Sequence, residues 1–115
     1  MADAANAIDI TAENFDREVV QSSVPVLIDF WAEWCPPCRM LKPELKALAP
    51  EIAGRVKVAF VDVDAEPEIA SAFGVRGIPA LFVMKDGEVV DQWTGFAPRA
   101  AVRARLAPHL GEVHG

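Results

Sequence analysis

Two nearly continuous apolar runs stand out along the chain, and a segment with helical spacing separates them. The runs are 26–31 (Val-Leu-Ile-Asp-Phe-Trp) and 56–63. Successive apolar positions are typical of strands covered on both faces. Between the runs, apolar residues recur at helical intervals and predict a helix with one buried face: Met40, Leu41, Leu45, Leu48, Ala49 and Ile52. Pro43 lies inside this pattern and is expected to kink the helix, and Gly54 follows its end.

Helices are also predicted on either side of this region. Thr11 is placed to cap a helix whose apolar face consists of Phe15, Val19 and Val20. Residues 67–73 predict a short helix closed by Gly74. Pro98 opens a last helix with three apolar residues on one face: Val102, Leu106 and Leu110.

A hairpin is predicted before the last helix. Two β-rich runs, 80–84 and 89–93, flank Lys-Asp-Gly-Glu, and Asp-Gly between such runs is a strong hairpin signal. The order of elements is therefore βαβαββα with a helix before it. Alternating units followed by a hairpin imply an α/β fold with a mixed central sheet and helices on both faces.

Length, composition and charge limit the classes of function. The 115 residues suit a single domain, 1–115, with an ordered core from about 8 to 110. The net charge of −6 and the lack of a basic run argue against nucleic-acid binding. Residues 1–10 do not resemble a signal peptide, and no apolar segment is long enough to span a membrane. We expect a cytoplasmic protein.

The only two cysteines are Cys35 and Cys38, at the junction of a predicted strand and helix. A C-x-x-C pair in such a place is the usual form of a redox dithiol, in which one thiolate attacks a disulfide and the second resolves the mixed disulfide. The alternatives are a structural disulfide or half of a metal site. Zinc takes about four ligands, and the chain has no second cysteine pair or Cys/His cluster to supply them. No metal is expected.

Several motifs together resemble the thioredoxin family. They are Phe-Trp-Ala-Glu-Trp-Cys at 30–35 followed by Cys38 and Pro43, Gly-Ile-Pro at 77–79, and Lys-Asp-Gly at 85–87. The resemblance runs from about Ile8 to Leu110. It implies a thioredoxin fold, reduction of protein disulfides by dithiol–disulfide exchange, and recharging by thioredoxin reductase. It implies no cofactor beyond a redox-active Cys35–Cys38 disulfide.

The resemblance also assigns roles to individual residues. Cys35 is similar to the family's nucleophile, Cys38 to its resolving thiol, and Asp29 to the acid that accepts the resolving thiol's proton through water. Asp29 lies in an apolar strand, where burial raises the pKa of a carboxyl group, and the alternative to a general base is a structurally satisfied acid at a strand end. Pro79 is similar to the cis-proline. The expected substrate surface comprises Trp34, Gly77, Ile78, Pro79, Gly95 and Phe96.

The chain departs from the family pattern at three positions. The dipeptide between the cysteines, which tunes the redox potential, is Pro36-Pro37 instead of Gly-Pro. Pro36 removes a backbone N–H near the sulfur, so we expect a higher thiolate pKa for Cys35. Ala80 stands where Thr commonly follows the cis-proline, and Phe60 where many bacterial members have Lys near the buried acid. Without that cation, the pKa of Asp29 is expected to be higher still.

Other functions remain open from the sequence. The absence of His between the cysteines favours a reductant, whereas Pro36 leaves an oxidant or isomerase as the alternative. A thioredoxin-fold binding subunit with dispensable thiols, and two chains that share a metal through four cysteines, are further alternatives. We expect a monomer that binds neither nucleic acid nor membrane, although a dimer through the apolar rim around Trp34 is compatible with the sequence.

Overall fold

A computed structural model describes residues 6–110. Its five strands are β1 (Ala7–Asp9), β2 (Val26–Trp31), β3 (Lys57–Asp62), β4 (Ala80–Lys85) and β5 (Glu88–Thr94). Its α-helices are α1 (Pro36–Leu48), α2 (Pro67–Ala72) and α3 (Arg99–Leu106). A π-helical turn covers Asp16–Val20, and 3₁₀ turns follow α1 and α3 at Ala49–Ile52 and Ala107–His109.

The strands form one mixed sheet in the order β1-β3-β2-β4-β5. β3 is parallel to both β1 and β2, whereas β4 is antiparallel to β2 and β5. β2 is therefore central, and its Asp29 pairs in register with Phe60 on one side and Leu81 on the other. The mixed sheet predicted from the order of elements is confirmed.

Both faces of the sheet are covered. Because side chains alternate along a strand, each buried strand contributes to two separate cores. Leu27, Phe60 and Leu81 pack with residues of α1 and α3 on one face. Phe30 and Phe82 pack on the other face, with Phe73 after α2 and Phe15 before the π-helical turn. Asp29, two positions from Leu27, belongs to the face that carries α1.

The hairpin and the proline-containing helix agree with the sequence predictions. Asp86 and Gly87 have φ of 53° and 80°, the left-handed pair that a two-residue hairpin turn requires. α1 continues through Pro43 to Leu48, as expected from the periodic apolar residues on both sides of it.

Two predictions at the amino-terminal end were wrong. The first element is a strand, β1, which the sequence analysis missed because it is only three residues long. The predicted first helix is a single π-helical turn that Thr11 does not cap. The Thr11 hydroxyl instead accepts a hydrogen bond from the Glu13 N–H, and the Thr11 N–H donates to the Asn14 side chain. These local bonds form a turn that competes with helix initiation.

Candidate active site

The two cysteines are joined as a disulfide at the start of α1. Cys35 is the extended residue that caps the helix, and its Sγ accepts a hydrogen bond from the Cys38 N–H at 3.3 Å. The Cα atoms of the two cysteines are 5.2 Å apart. A helix offers its free N–H groups to the capping side chain at its second and third positions. Since the second residue here is Pro37, Cys38 supplies the remaining donor.

The two sulfurs differ in their surroundings. Cys38 is fully buried, whereas 4% of Cys35 is exposed. The Cys35 Sγ lies 3.7 Å from the carbonyl oxygen of Ile78, and the Ile78–Pro79 peptide bond is cis, as expected from the resemblance. The Gly95 N–H donates to the Pro79 carbonyl at 2.9 Å, which connects the end of β5 to this loop. The less buried cysteine is the expected nucleophile.

Asp29 is a fully buried acid on the face of β2 that carries α1. Neither of its carboxylate oxygens has a hydrogen-bond partner among residues 6–110. Burial raises the pKa of Asp29 from 3.8 to about 7, and the positive charge of Lys42 opposes this shift. A carboxyl group with this pKa exchanges its proton near neutral pH.

Asp29 lacks a cation at the β3 position, as predicted, but α1 supplies a different one. Phe60 does occupy the β3 position beside Asp29. The Nζ atom of Lys42, one helical turn after Cys38, lies 3.5 Å from the centre of the Trp31 ring and 5.1 Å from that of Phe60. Partial burial lowers the pKa of Lys42, while nearby carboxylates raise it. The spacing of four residues between Cys38 and Lys42 was the available signal for this residue.

The predicted substrate surface is only partly assembled in one place. Trp34, which is 65% exposed, borders a cavity of about 170 Å³ together with Gly77 and Ile78. Pro79 is buried and does not line this cavity, and Gly95 contacts Pro79 through the hydrogen bond described above. Phe96 is 41% exposed, but it is not among the residues that line the cavity.

Asp64 is a residue of this surface that the sequence analysis missed. Its carboxylate accepts a hydrogen bond from the Trp34 indole N–H at 2.8 Å. The two residues are 30 positions apart, and no local pattern connects them. The bond holds the ring of Trp34 beside the cavity while most of that ring remains accessible.

Neither a metal site nor a membrane span was found between residues 6 and 110. That part of the chain contains no group of three or more His, Cys, Asp or Glu side chains that is suited to a metal ion. None of its helices has the length and apolar character needed to cross a bilayer.

A C-x-x-C disulfide at a helix N-terminus on a mixed α/β sheet defines a thiol–disulfide oxidoreductase. The family model for thioredoxin matches residues 6–108, and the chain belongs to the thioredoxin family. It is 46% identical to Thioredoxin C-2 of Corynebacterium nephridii, over 93% of this chain and 99% of that protein. It is 42% identical to Thioredoxin 1 of a Nostoc species, over 90% of this chain and 97% of the relative. The thioredoxin of Haemophilus influenzae is 40% identical, over 92% and 99% respectively.

Proposed function

We propose that this chain acts as a reductant of protein disulfides, with Cys35 as the nucleophile and Cys38 as the resolving thiol. The observation that carries the proposal is the Cys35–Cys38 disulfide at the N-terminus of α1, with Cys35 less buried and beside the Ile78 carbonyl. The positive end of a helix favours a thiolate over a thiol, and the thiolate is the attacking species.

The reaction consists of two exchanges. The Cys35 thiolate attacks one sulfur of the target disulfide, forms a mixed disulfide and releases the other target sulfur as a thiolate, which takes up a proton. The Cys38 thiolate then attacks the Cys35 sulfur, closes the Cys35–Cys38 disulfide and releases the second target thiol. The target gains two electrons and two protons, and the chain loses them.

Asp29 is the proposed general base for Cys38. The thiol of Cys38 must lose its proton before it attacks, and a buried carboxylate with a pKa of about 7 accepts protons near neutral pH. Asp29→Asn should slow resolution of the mixed disulfide without slowing its formation. Glu33→Gln removes an exposed carboxylate from the active-site loop and should leave both steps unchanged. Equal resolution rates in the wild type and Asp29→Asn would reject the role.

The backbone around Ile78 is the proposed recognition site for the target. An extended target segment that pairs with this backbone brings its disulfide to Cys35, and such recognition reads main chain more than side chains. Trp34 and Gly77 border the path of the segment. Pro79 and Gly95 hold the loop in position, and Phe96 extends the apolar surface at the end of β5.

The proposed partners are protein disulfides and a thioredoxin reductase that returns the oxidised chain to the dithiol. No cofactor is required, because the Cys35–Cys38 pair itself stores the two electrons. We propose that the chain works as a monomer in the cytoplasm. Its charge of −6 is unsuited to nucleic acid or to anionic membranes.

A second candidate function is that of an oxidant or isomerase, and the stiffness that Pro36 gives the active-site loop is its basis, because a constrained loop can favour the geometry of the dithiol over that of the disulfide. The lost N–H acts in the opposite direction: a less stabilised Cys35 thiolate makes the dithiol less stable relative to the disulfide and so favours the reductant. The deciding experiment equilibrates the chain with glutathione buffers and with a thioredoxin standard. A potential near the established thioredoxin value of about −270 mV supports the reductant, and one near about −180 mV supports the alternative.

A further inference from the structure

Arg76 lies in the segment between α2 and β4 and lines two cavities. The smaller cavity is the one of about 170 Å³ that Trp34 and Ile78 border. The larger has a volume of about 300 Å³ and extends toward β5, where Trp93 lines it. Val75 and Gly77 border both cavities, so Arg76 marks the place where they meet.

The guanidinium group of Arg76 is exposed and has neither a hydrogen bond nor an ion pair within residues 6–110. Other arginines are engaged: Arg103 pairs with Glu51, and Arg105 forms two bonds to Asp91. Asp64, which directly follows the cavity residue Val63, accepts the indole N–H of Trp34. Arg76 is thus a cation at the edge of the proposed target path whose hydrogen-bonding capacity is unused.

The position of Arg76 determines which part of a target it meets. Ile78, whose carbonyl lies 3.7 Å from the Cys35 sulfur, is two residues further along the chain. An extended target segment advances by about 3.3 Å per residue, and only Gly77 separates Arg76 from Ile78, so a target residue near Arg76 lies within about three positions of the one opposite Ile78. Since the reacting cysteine of the target must lie at Cys35, a target residue within about three positions of that cysteine passes Arg76.

We propose that Arg76 selects target segments that carry an Asp or Glu within about three residues of the reacting cysteine. The inference rests on the proposed function and adds a preferred substrate class to it. A guanidinium group binds a carboxylate through two parallel hydrogen bonds, which makes the preference depend on position. The chain's charge of −6 repels acidic targets at long range. The selection is therefore local and does not follow from overall charge.

The test uses cyclic peptides with one internal disulfide, in which Glu, Gln or Lys occupies each position up to about three residues outside either cysteine. The measured quantity is the second-order rate constant for reduction by the reduced chain. We expect the Glu peptide to react about two- to fivefold faster than its Gln counterpart at one position, as an exposed ion pair allows. Arg76→Gln should abolish that ratio and Arg76→Glu should reverse it. Lys85→Gln, which removes an equal charge from the hairpin, should preserve the ratio.

Three results would overturn the inference. They are the absence of a Glu preference at every position, a preference that persists in Arg76→Gln, and an equal loss of preference in Lys85→Gln, which would assign it to net charge. The Gln peptide separates this inference from the proposed function. If the chain reduces the Gln peptide normally but shows no preference for Glu, the inference fails alone. If it reduces none of the peptides, the proposed function fails as well.

Discussion

The ammonium nitrogen of Lys42 lies 3.5 Å from the centre of the Trp31 ring, in a partly buried position at the side of α1. Phe60 contributes a second ring at 5.1 Å. Aromatic faces stabilise a cation that has lost part of its hydration. The contact therefore holds a positive charge close enough to Asp29 to lower the pKa of that buried acid.

Removal of this charge should raise the pKa of Asp29. In Lys42→Gln, desolvation acts on the carboxyl group without its opposing charge, so we expect a pKa above the wild-type value of about 7. The measurement is a titration of the Asp29 side-chain carbon signal by NMR in the reduced protein. Lys46→Gln, one turn further along α1, is the matched control and should leave the pKa of Asp29 near the wild-type value. An unchanged pKa in Lys42→Gln would show that Lys42 has no electrostatic effect on the acid.

The charge of Asp29 should destabilise the fold at high pH. Its pKa is about 7 in the folded chain against 3.8 ordinarily, so the folded state binds the proton more tightly. The resulting stability is fully present below pH 3.8 and is lost as the pH rises through about 7. At about 1.4 kcal/mol per pH unit, the loss amounts to a few kcal/mol.

Asp29→Asn should remove this pH dependence, because an amide does not titrate in this range. The readout is the difference in the free energy of unfolding between variant and wild type, measured in urea from about pH 4 to about pH 8. We expect this difference to move in favour of the variant as the pH rises. The change of this free-energy difference with pH is the readout, and its value at a single pH is not, because a buried amide has a desolvation cost of its own. A difference that stays constant with pH would contradict the raised pKa.

Restoring an N–H at position 36 should lower the pKa of the reduced Cys35 thiol. With prolines at the first two positions of α1, the Cys38 N–H is the donor that the structure provides to the Cys35 sulfur. Pro36→Ala returns one N–H with little added flexibility, whereas Pro36→Gly returns it and loosens the loop. Titration of thiolate absorbance should give lower pKa values for both variants. If only Pro36→Gly differs from the wild type, loop stiffness is the cause, and equal or higher values in both variants reject the hypothesis.

Asp91 connects α3 to β5, the strand at the edge of the sheet. From β5 it accepts two hydrogen bonds from Arg105 and lies 3.1 Å from the His109 ring nitrogen. Arg105 also stacks over Trp93, with its guanidinium carbon 4.6 Å from the ring centre. The bonds from Arg105, aided by His109, lower the pKa of Asp91 to about 2.

Asp91→Asn should lower the midpoint of thermal unfolding by a few degrees near pH 7. The contribution is modest because the pair is partly exposed. A depressed pKa adds stability above the ordinary value of 3.8, and that stability is lost as the pH falls through about 2. The gap between variant and wild type should therefore shrink in acid. Glu88→Gln removes a carboxylate from the same strand and is the control; an equal loss in that variant would assign the effect to net charge.

Much of the fold followed from local patterns in the chain. The apolar runs predicted β2 and β3, Asp86-Gly87 predicted the hairpin, and the spacing of leucines predicted α1 through Pro43. These patterns suffice because each reflects burial or backbone geometry within a few residues. β1 and the short π-helical turn were not predicted correctly, since β1 is held by its pairing with β3, 51 residues away, and Thr11 forms a local turn.

The sequence by itself determined the chemistry of this protein: a C-x-x-C dithiol after a buried strand, an acid within that strand, and the order of strands and helices from β2 onward. These features depend on residues that are neighbours along the chain. Only the tertiary structure decided which side chains surround them. It placed the cation of Lys42 near Asp29, the carboxylate of Asp64 on Trp34, and Arg76 between two cavities. Packing brings distant segments together, and the electrostatic and hydrogen-bond energies of the site depend on those distances in space.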